Sequence, residues 1–273
     1  MGNIFDKFDM KNQAVIVTGG AGLLGRQFAK TLAEAGAGVV VADLFSEKAE
    51  QVAVELRNSG FQAIGVQVDV TDKNSVESMV ARTIKEFGIL SAIINSAAMD
   101  PKFDSEHAGQ HNNNFEDYPV EMFRSALDVN LTGMFLCSQA AVKAMLKNKK
   151  GSIVNICSTY GLVGPDQRLY EREGQPKQYK PVFYTVSKAG VLGLTRYMAT
   201  YYMGTQIRVN ALTPGGVYNQ HDEIFTERYS AKTVLGRMAD QDEMNGACLF
   251  LASDASSYMT GANLVVDGGW TAW

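Results

Sequence analysis

The stretch AVIVTGGAGLLGRQFAKTLAEAG, residues 14–36, decides the fold. An apolar, β-branched run is followed at once by clustered glycines and then by a segment whose apolar side chains have helical spacing. This order predicts a buried strand, a tight turn and a helix that packs back on the strand. Gly36 stands just after the last apolar position of the helix, where a left-handed conformation suits glycine. The stretch therefore indicates a strand-turn-helix unit of an α/β fold.

The same alternation of apolar runs and helical segments continues through the 273 residues. Short β-branched runs separated by helices predict parallel strands with crossover connections, which is the pattern of a doubly wound sheet. We expect a single domain over residues 1–273. Its predicted strands are 14–18, 38–43, 63–70, 92–95, 151–158, 207–214 and 262–269. The predicted helices open at Gly22, after Ser46 and after Asp72, and longer ones cover 122–147 and 183–203.

Two polar segments interrupt the alternation, near residues 100–119 and 165–181. Each follows the end of a predicted strand, and ligands of open parallel sheets bind beyond those ends. We therefore expect both insertions to shape a substrate pocket, with a mobile surface flap as the alternative. Their polar groups favour hydroxylated or anionic ligands over lipids. The side chains expected at the pocket mouth are Asp104, His107, His111, Asp117, Arg168, Tyr170, Arg172, Lys177 and Tyr179.

The composition of the chain limits which binding partners and which cell compartment are expected. A formal net charge of -4, with only a short basic run at 147–150, argues against nucleic acid. The amino-terminal residues lack an apolar leader, and no stretch is apolar enough to span a bilayer, so we expect no membrane partner. The 3 cysteines have neither a paired nor a metal-ligand spacing, which is typical of free thiols in the cytoplasm. We expect His107 and His111 to be solvated loop residues and no metal to be bound.

The glycines of TGGAGLLG, residues 18–25, let the backbone approach a pyrophosphate, while the helix that follows offers free N–H groups and a partial positive charge. The second predicted strand ends in Asp43, where a carboxylate can bind the ribose hydroxyls of adenosine and repels the 2′-phosphate of NADP. Leu44 and Phe45 come next and provide no guanidinium for that phosphate. The sequence predicts a dinucleotide site that prefers NAD.

Tyr184 and Lys188 are four positions apart in a segment of helical period, so their side chains project from one face of the helix. A phenol with an ordinary pKa of ~10 is a poor base at neutral pH, and a neighbouring ammonium is expected to lower that pKa. The pair is therefore a candidate general acid/base.

Eight motifs, taken in order, resemble the short-chain dehydrogenase/reductase family over essentially the whole chain. They are TGGAGLLG (18–25), DV (69–70), NSAA (95–98), VNLTGMF (129–135), NICS (155–158), YTVSK (184–188), VNALTPGG (209–216) and LASDASSYMTGANLVVDGG (251–269). The resemblance implies a Rossmann fold with seven parallel strands in the order 3-2-1-4-5-6-7. It also implies hydride transfer between NAD and a small-molecule secondary alcohol or ketone, and a homodimer or homotetramer.

The resemblance assigns roles to individual residues. Tyr184 is expected to exchange a proton with the substrate oxygen, which Ser158 holds by a hydrogen bond. Lys188 is expected to bind the nicotinamide ribose, and Asn130 to anchor a water that links this lysine to solvent. The candidate cofactor residues are Gly19, Gly22, Leu23, Leu24, Gly25, Asp43, Leu44, Asp69, Val70, Asn95, Ser96, Ala97, Tyr184, Lys188, Pro214, Gly215, Val217 and Asn219.

The chain departs from the family's pattern at several places. Leu23 stands where the second glycine of the loop is usual, NSAA replaces NNAG, and Asn219 replaces a threonine. The separation of Ser158 and Tyr184 is about twice the usual one, because the insertion of residues 165–181 lies between them. None of these changes removes a reacting group, so we expect activity.

The glycine loop and the insertions are similar to those of oxidoreductases encoded with flagellin glycosylation genes, which implies a sugar-like substrate. Two alternatives stay open. A non-catalytic, NAD-responsive binding protein on the same fold would lack a reacting residue, yet Asn130, Ser158, Tyr184 and Lys188 are all present. A sugar epimerase or dehydratase that retains NAD usually carries a larger carboxyl-terminal substrate domain.

Overall fold

The computed structural model describes residues 3–100 and 113–273. Its strands form one parallel sheet in the order β3-β2-β1-β4-β5-β6-β7, which confirms the predicted Rossmann topology. The chain order reverses between β1 and β4, so a crevice opens at their carboxyl ends. The strands are β1 Ala14–Thr18, β2 Gly38–Asp43, β3 Ala63–Gln67, β4 Ala92–Asn95, β5 Lys150–Ile156, β6 Gln206–Pro214 and β7 Asn263–Val266.

Helices connect the strands and cover both faces of the sheet. Where helix signals were clear they are confirmed: Asp72 caps α3 by accepting a hydrogen bond from the backbone N–H of Asn74, and Gly88 ends that helix with a left-handed conformation. Two short helices, α7 and α8, were not predicted. The helices are α1 Leu23–Glu34, α2 Ser46–Asn58, α3 Lys73–Phe87, α4 Val120–Leu127, α5 Gly133–Asn148, α6 Val182–Tyr201, α7 Glu223–Ser230 and α8 Asn245–Ala252.

The core lies in two apolar layers, one on each face of the sheet. Val15 and Val17 of β1 point into the layer beneath α1, α2 and α8, whereas Ile16 points into the layer beneath α3, α5 and α6. Both layers are fully buried, which explains why the strand sequences read as continuous apolar runs. Burying each large side chain contributes about 1.5–3 kcal/mol, so the sheet is a rigid base for the residues at its edge.

Three strands end earlier than predicted. β3 and β5 stop before Asp69 and Ser158, because these residues already belong to turns that their own side chains close. β7 stops at Val266, because Gly268 and Gly269 have positive φ angles that a strand does not allow. The residues that were placed at strand ends are therefore loop residues just beyond the sheet.

The helix predicted over 122–147 is interrupted. α4 and α5 are joined by a π-helical turn over Asp128–Thr132, which contains Asn130. A continuous α-helical pattern was the wrong prediction here, since the π turn adds a residue to the helix and turns Asn130 into the interior. Gly133 follows, and a Cβ at this position would lie 2.7 Å from a methyl group of Val70.

The three cysteines Cys137, Cys157 and Cys248 are buried free thiols. Within residues 3–100 and 113–273, every helix is too short or too polar to cross a membrane.

Candidate active site

The glycine loop between β1 and α1 forms one wall of the site. Gly19 has a φ of +62°, and a Cβ there would lie 2.8 Å from the Cα of Ala97. The missing side chain of Gly25 lets α1 rest directly on the carbonyl of Gly19, and Gly22 is the N-cap of the helix. Only glycine satisfies both the backbone conformation and the close approach. The loop thus has the shape that a pyrophosphate at a helix amino terminus requires.

Leu23, which replaces the second glycine of the family pattern, is the first residue of α1. Leu24 follows it and packs against the apolar layer on this face of the sheet. Helical backbone suits leucine, so this departure needs no conformation reserved for glycine.

Asp43 ends β2 beside the glycine loop. Its carboxylate accepts hydrogen bonds from the backbone N–H of Ala21 at 3.1 Å and of Phe45 at 3.3 Å. Leu44 and Phe45 are exposed. The ammonium of Lys48 lies 4.7 Å from the centroid of the Phe45 ring. Asp43 is therefore fixed at the edge of the sheet where an adenosine ribose would lie.

Thr18 joins the glycine loop to the end of β4. Its hydroxyl accepts the backbone N–H groups of Ser96 at 3.2 Å and Ala97 at 3.3 Å. The sequence analysis missed this role, although a threonine at a strand end directly before clustered glycines was a visible signal. The bonds hold the backbone of residues 96–97 against Gly19, so both sides of the crevice keep their spacing.

The side chain of Asn95 makes hydrogen bonds inside the protein. Its side chain is buried, and its amide donates to the hydroxyl of Ser138 at 2.9 Å and to the Oδ1 of Asn155 at 2.8 Å. These bonds tie β4 to β5 and α5. The side chain points into the protein and not into the crevice, so contact with a cofactor would have to come from its backbone.

Asp69 and Val70 follow β3. The Asp69 carboxylate accepts the hydroxyl of Thr71 at 2.6 Å and its backbone N–H at 2.9 Å, and these bonds hold the pKa of Asp69 below its ordinary value. Val70 is buried against Gly133. These contacts therefore fix the conformation of the turn that follows β3.

The loop after β6 lies at the opposite end. Pro214 ends the strand, and Val217 forms a single parallel bridge with Ala239. The backbone N–H of Gly216 donates to the hydroxyl of Tyr229. A cavity of about 110 Å³ adjoins Gly215 and Gly216. Asn219 is half-buried beyond them. The predicted cofactor residues Pro214, Gly215, Val217 and Asn219 therefore lie on one continuous loop.

Ser158 and Tyr184 meet despite the insertion between them. The hydroxyl of Ser158 lies near the phenol of Tyr184, whose pKa it acts to lower, and it accepts the backbone N–H of Tyr160 at 3.2 Å. Burial raises the pKa of Tyr184, and the negative charge of Asp100 adds to the rise. The net direction is opposite to the lowering expected from the lysine alone, because desolvation of the phenolate outweighs that attraction. Tyr184 is therefore protonated at neutral pH.

Lys188 lies one turn further along α6. Its ammonium donates to the backbone carbonyl of Ile156 at 2.9 Å and lies 5.7 Å from the centroid of the Tyr184 ring. The side chain is buried, and burial lowers the pKa of Lys188. The end of β5 therefore positions the lysine beside the tyrosine, as the motif YTVSK predicts.

Asn130 is fully buried in the π turn. Its side chain accepts the N–H of Met99 at 2.6 Å and donates to the carbonyl of the same residue at 3.1 Å. The amide also reaches the hydroxyl of Ser187 at 3.2 Å. Asn130 thus ties the strand-end loop of β4 to α6, and the proposed water relay to Lys188 stays a prediction.

The sequence analysis missed an ion pair beside Tyr184. The ammonium of Lys180 lies 2.5 Å from Oδ1 of Asp100 and 4.1 Å from the centroid of the Tyr184 ring. Lys180 stands four positions before Tyr184, a helical spacing that was the available signal. Pro181 separates the two and is the N-cap of α6, so no helix could be predicted over Lys180.

The insertion of residues 165–181 is packed and is not a loose flap. Leu169 and Tyr170 are buried, and the hydroxyl of Tyr170 lies 3.2 Å from that of Tyr160. Arg172 pairs with Asp222 at 2.6 Å, at the N-cap of α7. The insertion therefore packs against α7 through an aromatic cluster and ion pairs.

Arg168 and Arg172, both expected at the pocket mouth, are each paired with an acid of the chain, and their role toward a substrate stays a prediction. Arg168 forms two hydrogen bonds with Asp166, at 2.8 and 2.7 Å, and Arg172 is engaged by Asp222. Their charges are already neutralised by acids of the chain. Asp104, His107 and His111 lie outside the described residues, so the expectations for them stay predictions.

Among the residues that the structure describes, no cluster of three or more His, Cys, Asp and Glu side chains could hold a metal ion. A nicotinamide dinucleotide does fit the site. A Cβ at Gly19 would collide with the backbone of Ala97 and one at Gly25 with that of Gly19, so the loop keeps its shape only with glycines. Asp43 and Lys188 lie along the same edge of the sheet.

A family model described as Enoyl-(Acyl carrier protein) reductase matches residues 20–271. The chain is 36% identical over 267 residues to cis-4-hydroxycyclohexanecarboxylate dehydrogenase of Sinomonas cyclohexanicum, with 95% of this chain and 97% of that protein covered. A short-chain type dehydrogenase/reductase from Mycobacterium marinum is similar in structure, with a TM-score of 0.85, 33% identity and 99% of both chains covered.

A gluconate 5-dehydrogenase from Burkholderia cenocepacia J2315, in complex with NADP and tartrate, has a TM-score of 0.86 and 27% identity, with 99% of this chain and 100% of that chain covered. None of these three names refers to flagellin modification, so that closer likeness stays a prediction. The matches extend over nearly the whole chain and agree with the topology and the motifs. The chain belongs to the short-chain dehydrogenase/reductase family, whose members are nicotinamide-dependent oxidoreductases of CH–OH groups.

Proposed function

We propose that this protein is an NAD-dependent oxidoreductase that interconverts a secondary alcohol and a ketone on a polar, sugar-like substrate. The observation that carries the proposal is the position of Lys188 beside Tyr184, with its ammonium 5.7 Å from the centroid of the ring and Ser158 near the same phenol. Two hydroxyl donors that converge on one point can both bond a single substrate oxygen. A bound nicotinamide supplies or accepts the hydride.

In the reducing direction, Ser158 orients the carbonyl of the substrate and Tyr184 donates its phenolic proton to the oxygen. The raised pKa of Tyr184 suits this step, because the proton is present at neutral pH. In the oxidising direction, Tyr184 must accept the proton of the alcohol. The positive charge of Lys188 stabilises the phenolate that this direction requires.

The preference for NAD is supported by the position of Asp43 at the end of β2. A carboxylate there repels a 2′-phosphate, and the exposed Leu44 and Phe45 give that phosphate no cationic partner. Arg26, in the first turns of α1, is already paired with Glu55. The gluconate 5-dehydrogenase was solved with NADP, so the preference for NAD proposed here rests on Asp43 and its neighbours and not on the comparison.

A cofactor exchange tests this preference. The double variant Asp43→Ser with Leu44→Arg should shift the ratio of kcat/KM for NADP over NAD upward by roughly 100-fold, since removing repulsion and adding a guanidinium each contribute about 1–2 kcal/mol. Glu47→Gln, an exposed acid in the first turn of α2, is the control. A wild-type enzyme that prefers NADP would contradict the proposal.

The polar substrate is supported by the groups at the mouth of the site. The Asp100 and Lys180 pair lies beside Tyr184, and Asn219 stands on the loop after β6. Two of the three named relatives, cis-4-hydroxycyclohexanecarboxylate dehydrogenase and gluconate 5-dehydrogenase, are named for hydroxylated carboxylic acids. We therefore place sugars, sugar acids and hydroxylated carbocycles first among the substrates.

The experiment measures NADH formation with a panel of sugars, sugar acids, cyclic hydroxy acids and sterols. We expect turnover with polar members and none with sterols, and Tyr184→Phe should bind NAD but lose turnover. Turnover confined to sterols would contradict the polar substrate. Cofactor that stays bound without net reduction, while substrate is isomerised or dehydrated, would support an epimerase or dehydratase instead.

A homodimer or homotetramer remains part of the proposal, as does a cytoplasmic location. An apolar cavity of about 280 Å³ opens between α5 and α6, lined by Leu131, Thr132, Phe135, Gly190 and Leu194. Phe135 is 44% exposed there, so a second copy of the chain could bury it. Light scattering coupled to size exclusion should give a mass of two or four chains.

A further inference from the structure

A lysine and an aspartate from the two inserted segments meet over the reacting tyrosine. Asp100 lies at the start of the first insertion and Lys180 at the end of the second. Their side chains are joined at 2.5 Å, and the ammonium lies 4.1 Å from the centroid of the Tyr184 ring. Only 13% of the Lys180 side chain is exposed, against 49% of Asp100.

The backbone holds Lys180 in this place. Its N–H donates to Oε1 of Gln167 at 2.9 Å, and the carbonyl of the preceding Tyr179 accepts the side-chain amide of Asn113 at 3.2 Å. Pro181 then begins α6. Ordering a long lysine side chain costs conformational entropy, so a fixed and largely buried lysine requires contacts that offset this cost. The carboxylate and the ring are those contacts.

The two charges act on the phenol with opposite signs. A cation over the face of an aromatic ring is attracted to it and stabilises the phenolate, whereas a nearby carboxylate destabilises the phenolate. The other titratable groups that face Tyr184 are Lys188 of α6, Cys157 after β5, Tyr160 in the next turn and Tyr170 of the second insertion. Lys180 is the cation nearer to the ring, at 4.1 Å against 5.7 Å for Lys188.

We propose that Lys180 is a positioning residue of the reaction, which holds the ring of Tyr184 and favours its deprotonated form, while Asp100 fixes the lysine and opposes its charge. The proposal rests on the proposed function. The pair is one of the contacts by which the two insertions meet. It places a second pair of opposite charges beside Tyr184, in addition to the charge of Lys188.

The test compares the two ways of breaking one ion pair. The pH dependence of kcat/KM for alcohol oxidation is measured for wild type, Lys180→Met, Asp100→Asn and Lys180→Arg. Lys180→Met should move the acidic limb upward and Asp100→Asn should move it downward, each by about one pH unit, since a charge within ~4–6 Å shifts a pKa by about that much or more. Lys180→Arg should restore the wild-type profile, because a guanidinium also stacks on a phenol ring.

A merely structural ion pair predicts a different result. Loss of either partner would then lower activity in the same way and leave the limb in place, or move it in one direction for both variants. Either outcome would overturn the proposal. Equal melting temperatures of the variants and the wild type would show that the shifts come from charge and not from misfolding.

A second readout needs no substrate and separates this proposal from the proposed function. In protein labelled with ¹³C-lysine, the ε-methylene resonance of Lys180, assigned by Lys180→Arg, should be shifted upfield by the ring of Tyr184 and return to an ordinary position in Tyr184→Leu. An unshifted resonance in the wild type would refute the contact, whatever substrate is found. A shifted resonance without turnover on any alcohol would refute only the proposed function.

Discussion

The two ends of the crevice are built by different means. At the glycine loop, the geometry comes from the backbone: Gly19 in a left-handed conformation, Gly25 under α1, and the hydroxyl of Thr18 holding the next loop. At the insertion of residues 165–181, the geometry comes from side chains that meet across the sequence, such as Arg172 with Asp222 and Tyr170 with Tyr160.

This difference has a consequence for how each end tolerates change. A backbone conformation that only glycine adopts cannot be replaced by a neighbour, so damage there is large and local. In a network of ion pairs and ring contacts, several interactions each contribute a small part of the stability. When one of them is removed, the others still hold the segment in place. We expect variants of the first end to affect the cofactor and variants of the second to affect the substrate.

The largest effect is expected for Gly19→Ala. The positive φ and the approach to the Cα of Ala97 strain any side chain by about 1–3 kcal/mol, which corresponds to a loss of NAD affinity of roughly 10- to 100-fold. Titration of NAD by protein fluorescence measures this. Gly164→Ala is the matched control from the other end, since a Cβ there meets nothing within 4 Å and affinity should not change.

An intermediate effect is expected for Arg172→Met. The Arg172 side chain is 11% exposed and that of its partner Asp222 is 47% exposed, so losing the pair costs about 1–2 kcal/mol of unfolding free energy. KM for the alcohol should rise about 10-fold while KM for NAD is unchanged. Lys177→Met is the control, because its ammonium lies 3.8 Å from Glu171 with both side chains exposed. An equal rise in KM for NAD would contradict the division into two ends.

The smallest effect is expected for Asp166→Asn and concerns how the free energy of unfolding depends on pH. The hydrogen bond from Arg168, aided by Lys232, holds the pKa of Asp166 below its ordinary 3.8. A lowered folded-state pKa contributes stability that is present above 3.8 and is lost as the pH falls below it. Wild type and Asp166→Asn should therefore differ in unfolding free energy by under about 1 kcal/mol near neutral pH. That difference should vanish in acid; a difference that grows in acid would contradict the assignment.

The sequence predicted well what is local. The strands, their order and the glycine loop follow from apolar runs, helical spacing and the family motifs, and β1, β2 and β4 have their predicted bounds. Ser158, Tyr184 and Lys188 came together as expected, because the ends of parallel strands meet at one edge of the sheet.

What escaped prediction depends on contacts between distant residues. The pairing of Arg172 with Asp222 joins two segments that are far apart in sequence. The π turn at Asn130 needs the backbone of Met99 as its partner. The direction in which the pKa of Tyr184 shifts depends on how fully the protein buries the phenol, and the spacing of residues in the sequence cannot show this.

The central claim is that one substrate oxygen lies between Ser158 and Tyr184, with NAD along the edge of the sheet. A crystal structure of the protein with NAD and a ketone substrate tests this most directly. We predict the adenosine ribose on Asp43, the nicotinamide ribose on Lys188, and the ketone oxygen within hydrogen-bonding distance of both hydroxyl groups. A ketone oxygen bound away from either hydroxyl, with the dinucleotide in the same crevice, would contradict the account.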